Sequence, residues 1–444
     1  MDQASPEVRP FDVTFATVFA IAWPMTIAYL TTPLLGLVDT AVIGQLGSAA
    51  ALGGLAMGAV MLDVVFFSFS FLRSGTTGFT AQALGRYDRV EQQVVFVRAL
   101  VIALLCGVAI LLLGPYLVQL GLFLIAPTEA VAKVVTTYAS IRLLAAPLTM
   151  INYVILGWLL GLGRARQGLQ IQLLLNGINI IFSFYLGLYL ELGVAGVAWA
   201  TLIGEAGAVL YGGLIVARYL DIKILPDFRT IFEQGEIWKL MAVNGDTMIR
   251  SFCLLFSFIW FTYEGSQLGE TILATNAVLM NFFVIGGYFL DGFATAAEQL
   301  VGRAIGAHFR PAFDRSIRLV TTSGYLLAGT LTLLLWLAGP AIIDLLTTNE
   351  LVREQAGIYL PWSAITALIG VMAFQMDGVF MGATWTRDMR NMMLLSLGAF
   401  LLVCTLAIPA FGNHGLWLAL EVLLGLRGIS MWWRMKINAS KVFD

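Results

Sequence analysis

The chain has 444 residues, of which 59% are hydrophobic and 12% charged, and its mean hydropathy is +0.87. Soluble proteins carry about 25% charged residues, so this composition excludes an ordinary soluble domain and points to a polytopic membrane protein. The net charge of −2 offers no global attraction to nucleic acid.

The chain opens with MDQASPEVRPFD, which is polar and partly acidic. It has neither the apolar stretch of a signal peptide nor the Arg-rich, acid-poor character of a transit peptide. The first apolar run is therefore expected to stay in the mature chain. A spanning helix needs about 20 mostly apolar residues. Twelve such runs follow, at 13–43, 49–82, 93–122, 133–161, 169–189, 194–217, 237–263, 271–301, 315–343, 355–383, 390–410 and 414–433. Several exceed the bilayer thickness, so tilt or protrusion is expected.

The first run carries a single charge, Asp39, within LLGLVDTAVIGQLG. A charge at the bilayer centre costs about 3 kcal/mol on insertion scales, so Asp39 needs a partner or a task. A carboxyl shielded from water holds its proton more firmly, which suits a group that loads and releases H⁺ near neutrality. Pro24 and Pro33 precede it, and each removes a backbone hydrogen bond and permits a kink. The fifth run holds Asn176, Asn179 and Ser183 at i, i+3 and i+7, on one helical face. Asn176 reads as helix-packing glue. In the sixth run Thr201 and Glu205 share a face at i, i+4. Glu205 is either an accessory proton site or lies toward the cytoplasmic end of its helix. In the seventh, Asp246 and Arg250 have the spacing to pair. Asp291, Glu298 and Asp377 are acids of the later runs, and Arg73, Arg142, Arg250 and Arg427 are cations within or beside spans. Unpaired intramembrane charges are costly, so some of these must meet.

Counting connections from one to eleven, the even ones carry fifteen Lys and Arg, including Arg229, and the odd ones two. This asymmetry puts the even loops and both termini in the cytoplasm. The sixth connection is the longest and most charged, and it divides the chain into two sets of six. QLG recurs at 45 and 267, AQALGR at 81 resembles EQLVGR at 298, and GWLLGLGRAR at 157 resembles GVFMGATWTR at 378. The separations of 222, 217 and 221 residues argue for duplication. Six helices per copy make it a parallel repeat about an axis along the membrane normal. The expected divisions are an N-terminal segment 1–12, a first lobe 13–217, a linker 218–236, a second lobe 237–434 and a tail 435–444. An offset of 222 sets Phe261 opposite Asp39, so any chemistry of this carboxylate belongs to the first half.

Cys106, Cys253 and Cys404 lie in separate apolar runs, and the two histidines, His308 and His414, are too far apart for a metal cluster. There is no GxxxxGK[ST], H-E-x-x-H or G-x-S-x-G motif. The sequence thus gives no sign of an enzyme, an ATP-driven pump, a cofactor or a bound metal.

The stretches TTPLLGLVDTAVIGQLG, FLRSGTTGFTAQALGR, LGWLLGLGRAR, NGINIIFSF and GVAGVAWATLIGE resemble the DinF-like branch of the MATE (multidrug and toxic compound extrusion) transporters. NAVLMNFF, YFLDGFATAAEQLVGRAIGA and MDGVFMGATWTRDMRN agree in the second half. The likeness runs from about residue 13 to 434. It implies an all-α integral membrane fold of twelve helices, in two pseudo-symmetric six-helix lobes facing each other in a V. It implies efflux of amphipathic, often cationic compounds in exchange for H⁺ or Na⁺. In this branch a first-helix carboxylate couples the ion, and Asp39 occupies that position. An Asn and an Asp on the fifth helix and a Thr on the sixth complete the polar cluster. Asn179 and Thr201 match, with Asn179 a partner for Asp39, but Ser183 stands where the Asp often does. This departure argues against a Na⁺ site there. A sister branch uses a Glu on the seventh helix and an Asp on the tenth. Asp377 matches that Asp, but no Glu lies in the seventh run, only Cys253 and Leu254 near that depth.

Met and aromatic side chains suit apolar, cation-attracting pockets. Tyr29, Met57, Tyr138, Met150, Phe182, Phe261, Asn281 and Met376 are the chamber-lining candidates. The leading expectation is a proton-coupled multidrug antiporter, monomeric, in a bacterial inner membrane. Na⁺ coupling, flipping of a lipid-linked substrate, a channel and a membrane sensor are the competing readings. A flippase would need several cavity cations for a pyrophosphate, a sensor an appended soluble domain, and a channel no titrating Asp39.

Overall fold

The computed structural model describes residues 8–224 and 231–443. The rest of the expected N-terminal segment, and residues 225–230 of the expected linker with Arg229, lie outside the described residues. Among the described residues every regular element is helical. Helix α1 is Phe15–Gly44, and α2 is Ala49–Gly85, interrupted between Ala49–Ser68 and Phe71–Gly85. Helix α3 is Arg89–Ile125. Helix α4 is the pair Glu129–Leu144 and Ala146–Gly161, bent by 50°. The bend falls where Pro147 has no N–H for the Leu143 carbonyl. Helix α5 is Ala165–Phe182 and continues as a π-helix over Ser183–Tyr189. Helix α6 is Gly193–Ala217, and α7 is Gln234–Gln267. The remaining helices are α8, Glu270–Gly306; α9, Arg310–Leu346; α10, Glu350–Gly382; α11, Thr386–Phe411; and α12, Asn413–Phe443.

Each of the twelve apolar runs read from the sequence falls on one of these helices. Ten are long and apolar enough to cross a membrane, eleven when the α4 pair counts as one span. Helix α7 has the length, at 34 residues, but Asp246, Arg250 and Glu264 interrupt its apolar run. The chain is an all-helical, multi-pass membrane protein. By packing it divides into two units. One holds the chain up to Thr26, Gly85–Tyr87 and the chain from Met241 onward; the other holds Ile27–Leu84 and Asp88–Leu240.

The duplication is visible in backbone detail. Tyr87, Gly163 and Glu191 adopt positive φ in the first half, and His308, Thr384 and Gly412 do so in the second. Each pair is 221 residues apart (308 − 87, 384 − 163, 412 − 191). Hydrogen bonds follow the same offset. Arg164 N–H donates to Leu159 O at 2.8 Å, and Trp385 N–H donates to Phe380 O at 2.9 Å. Around the first and seventh helices the offset is 222 (269 − 47), set by the positive-φ residues Gly47 and Gly269. The likeness of AQALGR to EQLVGR, at 217, is therefore out of register by about one helical turn. The backbone pairs Gly85 with Gly306 instead.

Close helix approach repeats as well. A Cβ on Gly157 or Gly161 of α4 would overlap the α2 carbonyl of Arg73 or Thr77. A Cβ on Gly378 or Gly382 of α10 would overlap the α8 carbonyl of Ala294 or Glu298. Small residues at these four points let the backbones touch. Gly378→Ala is expected to lower the thermal midpoint in detergent, with the cost of about 1–3 kcal/mol typical of overpacking. Gly398→Ala, with open space around it, is expected to leave the midpoint unchanged.

The described ends of the linker rest on α3: Asp221 N–H donates to Gln93 Oε1 at 3.0 Å, and Arg98 Nε donates to Ile231 O. Residues 435–443 continue α12 and are docked. Asn438 Nδ2 and Arg434 Nε donate to Asp388 at 2.7 and 2.9 Å, and the Phe443 ring meets Phe313 at 5.2 Å.

Candidate functional site

Helix α1 brings Asp39 against the end of α5. Its side chain is 9% exposed, and Ser183 Oγ donates to Oδ1 at 2.9 Å. Ser183 is fully buried and is the first residue of the π-helical segment, a geometry that recurs at functional sites. One turn earlier, Asn179 Nδ2 donates to Thr201 Oγ1 of α6 at 2.9 Å. The expected partner of Asp39 is thus turned to α6, and Ser183 makes the bond. The reason is geometric: Asn179 and Ser183 lie on one face of α5, where two helices meet it. The Asn179 Oδ1 acceptor is buried and has no hydrogen-bond partner. A second tie joins α1 to α5. Asn176 Nδ2 donates to Thr31 Oγ1 at 2.7 Å, and Gln172 Nε2 donates to Asn176 Oδ1 at 3.1 Å. The bonds at Thr31 and Asp39 bracket Pro33, which has no N–H to take part in the helix ladder. Both Pro24 and Pro33 lie within the unbroken helix Phe15–Gly44.

Glu205 is the middle residue of α6, twelve from either end (205 − 193, 217 − 205), and not at its cytoplasmic end. It is 8% exposed, and Asn152 of α4 clamps it, donating to Oε2 at 2.5 Å and to its carbonyl at 3.1 Å. Arg142 of α4 lies over the Phe66 ring at 5.4 Å. Its charge acts on Asp39, Asp63 and Glu205.

In the second half the corresponding positions are apolar. The offsets set Phe261, Phe400 and Cys404 opposite Asp39, Asn179 and Ser183 (261 − 39 = 222; 400 − 179 = 221; 404 − 183 = 221). All three lie in one apolar core with Trp417, whose ring meets Phe261 edge-on at 5.3 Å. The fold therefore does not need polar groups at this position.

The MatE family model matches residues 24–185 and 247–406, once in each half. The chain belongs to the MatE family. It is 39% identical over 412 residues to DNA damage-inducible protein F of Escherichia coli K12, covering 93% of this chain and 90% of that one. It is 26% identical to the probable multidrug resistance protein NorM of Acinetobacter baylyi, covering 98% of this chain and 99% of that one. A solved structure titled as the outward-facing conformation of a multidrug resistance MATE family transporter matches with a TM-score of 0.86 at 18% identity, covering 96% of both chains. As a MatE member the chain is a transporter and not an enzyme.

The other predicted site residues of this MatE chain have varied surroundings. Met150 and Met376 are 0% exposed and packed inside their own units, which leaves them no open face here. Tyr138 is buried, Tyr29, Met57 and Phe182 are half-buried, and Asn281 is exposed with its amide donating to Ala277 O at 3.0 Å. Phe261 lines a cavity of about 300 Å³ between α7 and α8 with Phe258, Met280 and Phe283. Asp377 accepts from both Arg250 and Arg427. Asp246 pairs with Arg390 at 2.5 Å, so the i, i+4 pairing of Asp246 with Arg250 is not formed.

Three polar groups were passed over in the sequence reading. Asp63 is the only charge in residues 49–72, the same signal that singled out Asp39. Asn152 gave no signal of its own. Glu421 of α12 is a buried acid whose Oε1 accepts from Thr366 Oγ1 at 2.6 Å.

Proposed function

We propose that this MatE transporter exports amphipathic organic cations in exchange for H⁺, with Asp39 as the proton carrier. The observation that supports this is the asymmetry between halves. One copy of the repeat fills its pocket with Phe261, Phe400 and Cys404; the other maintains a buried carboxylate that packing does not require. An ionised Asp39 accepts hydrogen bonds only, whereas a protonated one also donates. The Ser183 hydroxyl, which now donates to Asp39 Oδ1 at 2.9 Å, can instead accept from a protonated carboxyl. Such a switch would change how α1 is held to α5 below Pro33, and so re-bend the helix.

Ser183 and Asp377 both weigh against Na⁺ as the coupling ion. At Asp39 the neighbouring ligand is the neutral hydroxyl of Ser183, where a hard cation favours several charged oxygens. In the second half two guanidiniums already occupy the Asp377 carboxylate. On this reading the segments 13–217 and 237–434 are the lobes of an alternating-access cycle. The protein works as a monomer in a bacterial inner membrane, with both termini cytoplasmic. The test uses the purified chain in liposomes loaded with a fluorescent organic cation. A pH gradient is expected to drive efflux and a Na⁺ gradient to drive none. Efflux under Na⁺ alone would reverse the assignment of the coupling ion.

A further inference from the structure

Asp63 lies fourteen residues into α2 (63 − 49), about 21 Å along the helix axis. The fourteen residues before it in the helix and the nine after it, 64–72, are uncharged. It is therefore deep in the membrane-spanning part of α2. Its side chain is nonetheless exposed, and it forms no hydrogen bond or ion pair with another described residue. Arg142 acts on it electrostatically but does not close on it; that guanidinium lies over Phe66. A carboxylate turned to hydrocarbon at this depth is strongly disfavoured, so the face of α2 that carries Asp63 must border a path that water or ligand enters. The same face presents Val60 at 64% and Phe67 at 43% exposure, at i−3 and i+4 from Asp63. A single anion set in an apolar stripe is complementary to a molecule with one positive charge on an apolar body.

We infer that Asp63 is the recognition carboxylate for the positive charge of the transported compound, with Val60 and Phe67 receiving its apolar part. This rests on the transport reading above and divides the labour between two acids: Asp39 carries the proton and Asp63 holds the cargo. The two tasks are separable because Asp39 is buried against Ser183 while Asp63 is open.

The test compares a styryl N-methylpyridinium dye with its uncharged, non-methylated parent, measuring binding by fluorescence anisotropy on the full-length protein in nanodiscs. Asp63→Asn is expected to weaken binding of the cationic dye roughly ten-fold and leave the neutral parent within about two-fold. Asp63→Glu is expected to restore most of the loss. The thermal midpoint of each variant shows that it is folded. Equal weakening of both dyes, or no change for the cation, would overturn the assignment of Asp63 while native efflux of the dye under a pH gradient upholds the transporter reading. A native protein that neither binds nor exports the cationic dye would overturn that reading and this inference with it.

Discussion

Asp39→Asn is expected to abolish efflux driven by a pH gradient, by at least about ten-fold, in a protein that still folds. Asn has nearly the same shape, and its side-chain oxygen can accept the Ser183 hydroxyl bond now made to Asp39 at 2.9 Å. The substitution therefore preserves the tie between α1 and α5 and removes only the ability to bind and release a proton. Ser183→Ala makes the opposite change. It removes the hydrogen bond and keeps the carboxyl, so proton-driven efflux is expected to persist with altered rate. Parallel liposome assays with the fluorescent cation, matched for the amount of folded protein, separate the two. Full efflux by Asp39→Asn would make Asp39 a packing residue. The choice of the first half would then lose its physical basis.

Asp377→Asn is expected to produce the largest loss of stability of any single change in the second half. The carboxylate is 13% exposed and lies between Arg250, at 15%, and Arg427, at 3%. Removing one partner of a buried pair costs about 3–5 kcal/mol, because the remaining charge is left without compensation. Here two guanidiniums are left facing each other, with Asp291 as the other acid acting on both. The double variant Asp377→Asn with Arg250→Met removes one charge of each sign and is expected to recover most of the loss. Thermal unfolding in detergent measures both, and the double-mutant cycle isolates the coupling. Efflux under a pH gradient is expected to survive in the double variant, in keeping with a holding role for Asp377. Loss of efflux in a stable double variant would return Asp377 to the coupling machinery.

Much of the architecture was legible because its signal is long. Each helix is announced by about twenty apolar residues, and the duplication by glycines placed where two backbones touch. The register of the second echo was not. A shift of four residues returns a helix to the same face, and AQALGR shares three positions with EQLVGR but two with its true counterpart, GRAIGA. Partner choice was also hidden. Asp246 and Arg250 share a face, but an i, i+4 pair yields only about 0.2–0.5 kcal/mol. Each instead meets a charge on another helix, Asp246 with Arg390 and Arg250 with Asp377, and so relieves a group that would otherwise be stranded. In the candidate site, spacing located Asn176, Asn179 and Ser183 on one face. It could not say that three different bonds would leave that face, to Thr31, Thr201 and Asp39. Nor does SFYLGLY announce the π-helical winding that starts at Ser183. Asp63 carries the same sequence signal as Asp39, a lone charge in an apolar run.

The apolar pocket of the second half also implies a history. Suppose the two halves began as identical copies with a carboxylate in each. Replacing one polar cluster by Phe261, Phe400 and Cys404 then allowed Trp417 and its neighbours to close around them. The reverse path is costly at its first step. A lone Asp or Asn restored among these apolar side chains would need a new hydrogen-bond partner or cost about 1–3 kcal/mol as an unsatisfied buried polar group. On that supposition the loss of the second carboxylate would favour its own persistence, and the ancestral chemistry would descend through one copy.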